Sequence, residues 1–280
     1  MITAGKIDFD SFLARPRGLL IAGLCLSLLL PALFAVMLWF DFGHDNDQAA
    51  DRAGIVVQSI QRQLDGRLGE LAGSLRAIAD DAASAKPATA TTATPALQDI
   101  VLLRTDDRVQ GLDLQGRPAR APWLPRPDPT GQQAGLSIGA PIRLTPAARW
   151  MVPVAWYGHP GWRVGALIDT DWFADVLMGY PLGEGSVLNL VHADGVMLAR
   201  SKANQDYVGT RLDHTPIFEG EYRARPSGQF IQTSQIDHVR RLVVFQRIPR
   251  SPLIVVVGTA REDIIAVWWP YAVISFSVAV

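Results

Sequence analysis

The residues 161–173, GWRVGALIDTDWF, change their pattern halfway along. The first part, Trp162–Ile168, is an apolar run of the length typical of a buried strand. Asp169 and Thr170 come next and are residue types that cap helices, and aromatic and apolar residues then follow at helical spacing. The stretch therefore predicts a strand that passes directly into a helix, with Asp169 or Thr170 as its N-cap.

Strand patterns also fill the chain on the N-terminal side of this stretch. Short apolar runs alternate there with turn residues such as Pro146 and the 158–161 turn. A Pro-rich, irregular segment, 117–131, interrupts them. Together with Trp162–Ile168, these runs predict an antiparallel sheet of about five strands, the others being Ile100–Leu103, Val109–Leu114, Leu136–Ile142 and Trp150–Trp156.

A second set of strands follows the break at 183–185. Asp194-Gly195 is a strong short hairpin signal, because both residue types accept the backbone angles of a tight turn. The predicted strands are Ser186–Val191, Val196–Arg200, Phe230–Thr233, Arg241–Arg247 and Leu253–Gly258. The pattern predicts an α+β protein built from two antiparallel-sheet modules in succession.

A long helix is predicted before the first module, over residues 44–83. Apolar residues recur every seven positions and form one stripe: Val57, Ile60, Leu64, Leu68, Leu71, Leu75 and Ile78. Such a stripe can pack on its own domain or form a dimer seam, and we expect one part to do each. The following segment, 82–95, is rich in Ala, Thr and Pro and is predicted to be a loop or linker.

The N-terminal apolar run, 18–40, predicts a transmembrane helix. It carries no charge and covers roughly 34 Å as a helix, which is enough to cross the hydrocarbon core. Basic residues precede it and acidic residues follow it: Lys6, Arg15 and Arg17 before, and Asp41, Asp45, Asp47 and Asp51 after. This asymmetry predicts a cytoplasmic N-terminus, 1–17, and an uncleaved anchor. A cleaved signal peptide is the alternative, but its apolar region would be shorter.

A second apolar run, 264–280, lies at the other end of the sequence, and Trp268, Trp269 and Tyr271 form an aromatic belt near its start. It is at the short limit for a span. We expect it to be the incomplete second transmembrane helix of a longer protein whose next segment is cytoplasmic. The alternative is a real C-terminus with a short second anchor. Residues 41–263 are then expected outside the cytoplasm.

Composition and motifs favour a protein without an active site. The formal net charge of −1 argues against a nucleic-acid surface, and the single cysteine, Cys25, lies inside the first apolar run. None of the five histidines has a second ligand type at zinc spacing. The sequence has no nucleophile elbow, phosphate-binding loop or metalloprotease motif. We therefore predict no enzyme activity in this chain, no cofactor and no metal.

The order of anchor, long helix, two sheet modules and anchor resembles the double Cache (PAS-like) extracytoplasmic sensor domains of bacterial membrane receptors. The stretches that carry the resemblance are LSIGAPI at 136–142, WMVPVAW at 150–156, GWRVGALIDTDWF at 161–173, DGVMLAR at 194–200, and PLIVVVG at 252–258 with REDIIAVW at 261–268. The resemblance implies a membrane-distal PAS-like module at 96–180 and a membrane-proximal one at 181–262.

The resemblance also implies a function. A small-molecule ligand would bind in the distal module and control a cytoplasmic output domain, a diguanylate cyclase or histidine kinase that is absent from this chain. The receptor would be a homodimer in the bacterial inner membrane, with the sensor in the periplasm or outside the cell. The alternative is a membrane-anchored periplasmic protein-interaction module without a small-molecule ligand, and neither reading involves nucleic acid.

Candidate ligand contacts lie on the distal strands and loops. Arginines can grip a carboxylate, aromatic side chains can wall an apolar pocket, and an aspartate can accept from an ammonium group. The candidates are Arg143, Arg149, Trp150, Trp156, Tyr157, Arg163 and Asp169. The amino-acid-binding variant of the family has an Arg-x-Trp-Tyr motif, which Arg149-Trp150 and Trp156-Tyr157 echo without its spacing. The short, Pro-rich 121–133 segment also departs from the family.

Overall fold

The computed structural model of the chain describes residues 16–84, 97–104, 110–127, 135–180 and 182–264, with side chains from Gln48 onward except that of Gln110. Several expectations fall partly outside these ranges. They are the N-terminus 1–17 apart from its last two residues, the linker 82–95 apart from its first three, the second span 264–280 apart from Ile264, the first residue of the predicted strand Val109–Leu114, and the Pro-rich segment from 128 onward.

Two compact units make up the chain. One comprises Met1–Gln48 and Trp268–Val280, and the other is Ala49–Val267, which contains both sheets. The backbone of the predicted first span, 18–40, is helical, but its side chains lie outside the described part. Among the residues that the structure describes, no helix is long and apolar enough to cross a membrane.

The first helix, α1 (Pro16–Ala83), carries the predicted apolar stripe. All seven stripe residues are at most 1% exposed, and they share one core with Leu102 and Val164 of the first sheet and Val255 of the second. Burying each leucine contributes roughly 1.5–3 kcal/mol. The stripe packs within its own chain, so the expectation that part of it forms a dimer seam is wrong for these residues.

Polar contacts from α1 reach both modules as well. The guanidinium of Arg67 donates to the carbonyl of Trp172 over 3.0 Å, and Gln246 Nε2 donates to Gln61 Oε1 over 2.8 Å. One helix therefore holds the two sheets in a common core.

The first sheet has six antiparallel strands in the order β3-β2-β1-β6-β5-β4. These are β1 (Leu97–Arg104), β2 (Gln110–Asp113), β3 (Pro118–Arg120), β4 (Leu136–Ile138), β5 (Met151–Trp156) and β6 (Trp162–Asp169). The prediction missed β3, which lies in the Pro-rich segment. Pro118 is tolerated there because β3 is an edge strand. The helix α2 (Thr170–Met178) follows β6 directly, as predicted.

The second sheet has five antiparallel strands in the order β8-β7-β11-β10-β9. These are β7 (Val187–His192), β8 (Met197–Arg200), β9 (Ser227–Thr233), β10 (Arg240–Arg247) and β11 (Leu253–Ala260), with the short helix α3 (Asn204–Tyr207) after β8. The Asp194-Gly195 turn joins β7 to β8, and Gly195 has φ +81°. In both sheets the first strand lies beside the last. The predicted α+β class with two antiparallel sheets is confirmed.

Candidate functional site

The seven candidate ligand contacts divide into two groups at opposite ends of β5. Arg149 and Trp150 precede this strand, whereas Trp156 ends it and Tyr157 follows it. Six extended residues span roughly 20 Å. We call Arg143, Arg149, Trp150 and Asp169 the junction group, and Trp156, Tyr157 and Arg163 the strand-end group. The seven residues therefore do not line a single pocket.

Asp169 in the junction group is a helix cap and an ion-pair partner. Its Oδ1 accepts from the backbone N–H of Asp171 over 2.9 Å, which is the predicted N-cap of α2. Its Oδ2 lies 2.8 Å from Arg149 Nη1. The Arg149 side chain is 66% exposed, so this pair contributes little stability. Both oxygens of Asp169 already have partners within the protein.

Asp171 links the two modules through its carboxylate. Oδ1 accepts from Asn204 Nδ2 and from Gln205 Nε2, each over 2.8 Å, and both donors lie in α3. Burial acts to raise the pKa of Asp171, but the two amide hydrogen bonds and the Arg149 charge outweigh it and lower that pKa. A stable negative charge therefore sits at the junction of the modules.

Trp150 also belongs to this junction. Its indole lies against Gly209, where an added Cβ would come within 2.3 Å of Trp150 Cη2. The Arg143 guanidinium stacks over the same ring with its Cζ 4.4 Å from the ring centroid. Trp150 thus contacts the second module directly. A further contact joins the two sheets: His192 Nε2 in β7 lies 3.2 Å from the carbonyl oxygen of Ile138 in β4, so this nitrogen donates.

Tyr157 of the strand-end group lies under a segment that covers the sheet, residues 121–126. The Tyr157 hydroxyl donates to the carbonyl of Pro125, and Ser137 Oγ donates to the carbonyl of Arg126 over 2.6 Å. An added Cβ on Gly165 would meet Leu124 Cδ1 at 2.4 Å, so this segment packs directly on β6. Burial raises the pKa of Tyr157, and the nearby Arg163 acts in the opposite direction.

Trp156 belongs instead to the core shared with α1. It is 5% exposed, and within the described ranges its Nε1–H has no hydrogen-bond partner. The indole serves packing at this position.

A cavity of about 700 Å³ opens on the first sheet, and we call it the first-sheet cavity. Two arginines and an indole provide its strongest binding groups: Arg104 at the end of β1, Arg120 at the end of β3, and Trp162 at the start of β6. Leu102 and Leu112 give it an apolar floor. None of the seven predicted residues lines it.

Arg104, Arg120 and Trp162 were not predicted as ligand contacts, because the sequence did not reveal β3. Strand order brings Arg120, Arg104 and Trp162 together, since β3, β2, β1 and β6 are neighbours and Arg104 pairs directly with Trp162. The one local signal was that arginines end two strands and a tryptophan begins a third. Because the sequence does not show which strands are neighbours, it could not predict that these three side chains meet.

Comparison with known proteins agrees with this architecture. Residues 170–258 match the dCache_1_like family, which is described as a histidine kinase sensor domain. The isoleucine-bound sensory domain of the Campylobacter jejuni chemoreceptor Tlp3 is similar over 79% of this chain and 96% of its own, with 10% identity and a TM-score of 0.51. The extracellular domain of mmHK1S-Z2, named as a histidine kinase, is similar over 79% and 99%, with 12% identity and a TM-score of 0.50.

At such low identities the structural similarity concerns the fold alone. No curated protein matches the chain. The family match and the shared fold together confirm the resemblance to double Cache sensor domains.

Proposed function

We propose that this chain, a double Cache sensor, is the extracytoplasmic ligand-sensing input region of a transmembrane signalling receptor. The first-sheet cavity is the observation that carries the proposal. Its volume of about 700 Å³ lies within the range of small-molecule sites, and cations, an indole and apolar side chains line it. The similar domain of Tlp3 is a chemoreceptor's sensory domain with isoleucine bound, which supports a sensing role for this fold.

The lining favours a ligand that carries a carboxylate. Arg104 and Arg120 can each donate two parallel hydrogen bonds to such a group, while Trp162 and Leu112 can contact an apolar part. We therefore propose a metabolite that carries a carboxylate and an apolar part.

The remaining architecture is proposed from the sequence. Residues 18–40 and 264–280 would anchor the chain in the inner membrane with the N-terminus in the cytoplasm. Residues 96–180 would form the distal module and 181–262 the proximal module of a homodimeric receptor, whose output is a diguanylate cyclase or histidine kinase. The charge asymmetry around 18–40 supports the orientation.

The junction group has a proposed role in transmission between the modules. The junction group connects β5 and β6 to α3 of the second module through Asp171 and its amide partners. A ligand shifts the receptor only if it binds one arrangement of these contacts better than another. Moving an equilibrium from 1:99 to 99:1 would need roughly a 10⁴-fold preference.

A ligand screen on the full chain in detergent tests the proposal. The thermal midpoint is measured with a panel of mono- and dicarboxylates and with matching amines. A true ligand at a hundred times its Kd should stabilise the fold by about 2.7 kcal/mol. Arg104→Gln and Arg120→Gln should each abolish most of that stabilisation.

Arg117→Gln is the matched control. Arg117 lies on the same sheet in the β2–β3 turn, its side chain is 74% exposed, and it does not line the cavity. If no carboxylate stabilises the chain, or if all three variants respond like the wild type, the sensing proposal loses its basis. The protein-interaction module then becomes the leading interpretation.

A further inference from the structure

A second cavity lies in the other module, against the second sheet. It measures about 50 Å³, and we call it the second-sheet cavity. Its polar wall includes Asn189, Arg200, Ser234 and Arg241, and its apolar wall includes Ile217 and Val256. None of these residues was predicted from the sequence as a candidate ligand contact.

The charges in this cavity do not balance. Arg200 and Arg241 are 3% and 4% exposed, so both cations are nearly removed from water. The ion pairs of both arginines converge on one carboxylate, that of Asp237. Within the described part of the chain, two buried positive charges thus share one negative charge through their ion pairs. A buried charge without compensation is costly, and an arginine cannot shed its proton to avoid the cost.

Arg241 has partners for its guanidinium. Nη1 and Nη2 donate to the Asp237 carboxylate over 2.6 and 2.9 Å. Nε and Nη2 donate to the carbonyl of Gly185 over 2.8 and 2.6 Å. The Asp237 carboxylate is therefore held mainly by Arg241.

Arg200 is the incompletely satisfied cation. Its Nη2 donates to Asp237 over 2.8 Å and its Nη1 to Asn189 over 3.1 Å. Its Nε is buried, and no group among the described residues accepts from it. The Tyr207 ring lies 4.9 Å from its Cζ and holds the guanidinium in place. The cavity is thus lined by two guanidinium groups whose ion pairs share one carboxylate, and an anion site requires such an unmatched positive charge.

The size of the cavity restricts the anion. A volume of about 50 Å³ holds roughly four water molecules, which corresponds to a carboxylate with one or two further carbons. Ile217 and Val256 can contact the apolar end of such a molecule. The cavity therefore favours a small monocarboxylate over larger di- and tricarboxylates.

We propose that the second module binds a small monocarboxylate of two or three carbon atoms, with the Arg200 guanidinium as its cationic partner. This site is separate from the first-sheet cavity and does not depend on the function proposed for that cavity. It lies next to the junction, because Asn204 accepts from the backbone N–H of Arg200 over 2.8 Å and donates to Asp171. An occupant would therefore contact the same network that joins the modules.

Calorimetric titration of the full chain in detergent with acetate and propionate tests this inference. Both should bind saturably, whereas chloride and citrate should not compete. Arg200→Lys keeps the charge but removes the planar donor, so it should weaken acetate binding about tenfold or more. Arg104→Gln, in the first-sheet cavity, should leave acetate binding unchanged, which separates this site from the first.

Val256→Leu keeps both arginines and narrows the apolar end, so it should weaken propionate more than acetate even if Arg200→Lys fails to fold. The inference is overturned if the wild type binds neither acid, if chloride competes equally, or if Arg104→Gln removes acetate binding. Equal loss of both acids in Val256→Leu would also count against it.

Discussion

At the junction and in the second-sheet cavity, contacts between distant parts of the chain determine which residue a position can hold. Gly209 shows this most simply: it has φ +84° and lies against the indole of Trp150. Only glycine adopts that conformation without strain, and only a hydrogen atom fits beneath the ring. A glycine in a polar stretch gave no sequence signal of this role, because the partner lies in the other module.

Gly209→Ala should destabilise the fold by about 2–5 kcal/mol. The left-handed backbone costs about 1–2 kcal/mol for an L-residue, and the clash with Trp150 adds about 1–3 kcal/mol. Gly220→Ala is the control, since Gly220 has φ +70° but nothing lies within 4 Å of an added Cβ. Gly220→Ala should therefore lower the free energy of unfolding only by the cost of the left-handed backbone. Urea unfolding followed by tryptophan fluorescence measures both, and equal losses would show that Trp150 does not exclude a side chain.

Asp237 gives the fold a pH dependence. Burial acts to raise its pKa, but hydrogen bonds from Arg241 and Ser234 and the charges of Arg241 and Arg200 lower that pKa far below the ordinary value of 3.8. A carboxyl with a lowered folded-state pKa stabilises the fold above its unfolded pKa, and this stabilisation is lost as pH falls through the folded value.

Asp237→Asn should therefore be less stable than the wild type at pH 7, and the difference should shrink as pH falls below about 4. The control is Asp113→Asn, where a lowered pKa arises in an exposed turn, mainly from the backbone N–H of Arg117. Its pH-dependent difference should be smaller. The measurement is the free energy of unfolding of each protein between pH 7 and pH 3. If the difference between wild type and Asp237→Asn stays constant over this range, the pKa of Asp237 is not lowered by the fold.

At the scale of elements, local patterns predicted most of the secondary structure. The strand-to-helix passage at β6 and α2, the Asp-Gly hairpin and the apolar stripe of α1 all follow from neighbouring residues. The strand β3 was missed because its proline hid an edge strand in a segment that otherwise looks irregular. Its absence from the prediction also hid Arg120 and hence the first-sheet cavity.

The stripe of α1 allows a direct test at this scale. Leu64 is fully buried in the core shared with both sheets, whereas Ile55 on the same helix is 67% exposed. Leu64→Ala should lower the free energy of unfolding by about 2–5 kcal/mol, because it leaves a cavity in a close-packed core. Ile55→Ala should change it by less than about 0.5 kcal/mol. Chemical denaturation compares the two, and a small loss at Leu64 would show that the stripe does not form the core.

At the scale of the whole molecule, one hydrophobic core joins α1, α2 and both sheets. The two modules are therefore not independent folding units, although the topology of each sheet is complete in itself. Contacts such as Asp171 with Asn204 and Gln205 add a polar link between them. A substitution that destabilises one module should consequently destabilise the other.

We expect the compact unit Ala49–Val267, produced as a fragment, to unfold in one cooperative transition. Tryptophan fluorescence reports on both the core and the junction, and far-UV circular dichroism reports on helix and strand. The two unfolding curves should coincide in urea. Two separated transitions would show that each sheet is stable without the shared core.

The sequence by itself determined what depends on neighbours along the chain: the α+β class, the heptad core of α1, the cap at Asp169 and most strands. The tertiary structure alone decided the binding chemistry. It brought Arg104, Arg120 and Trp162 to one cavity, and Arg200 and Arg241 to Asp237 in another. The physical reason is that strand order and register set which distant side chains meet, and no local periodicity records that order.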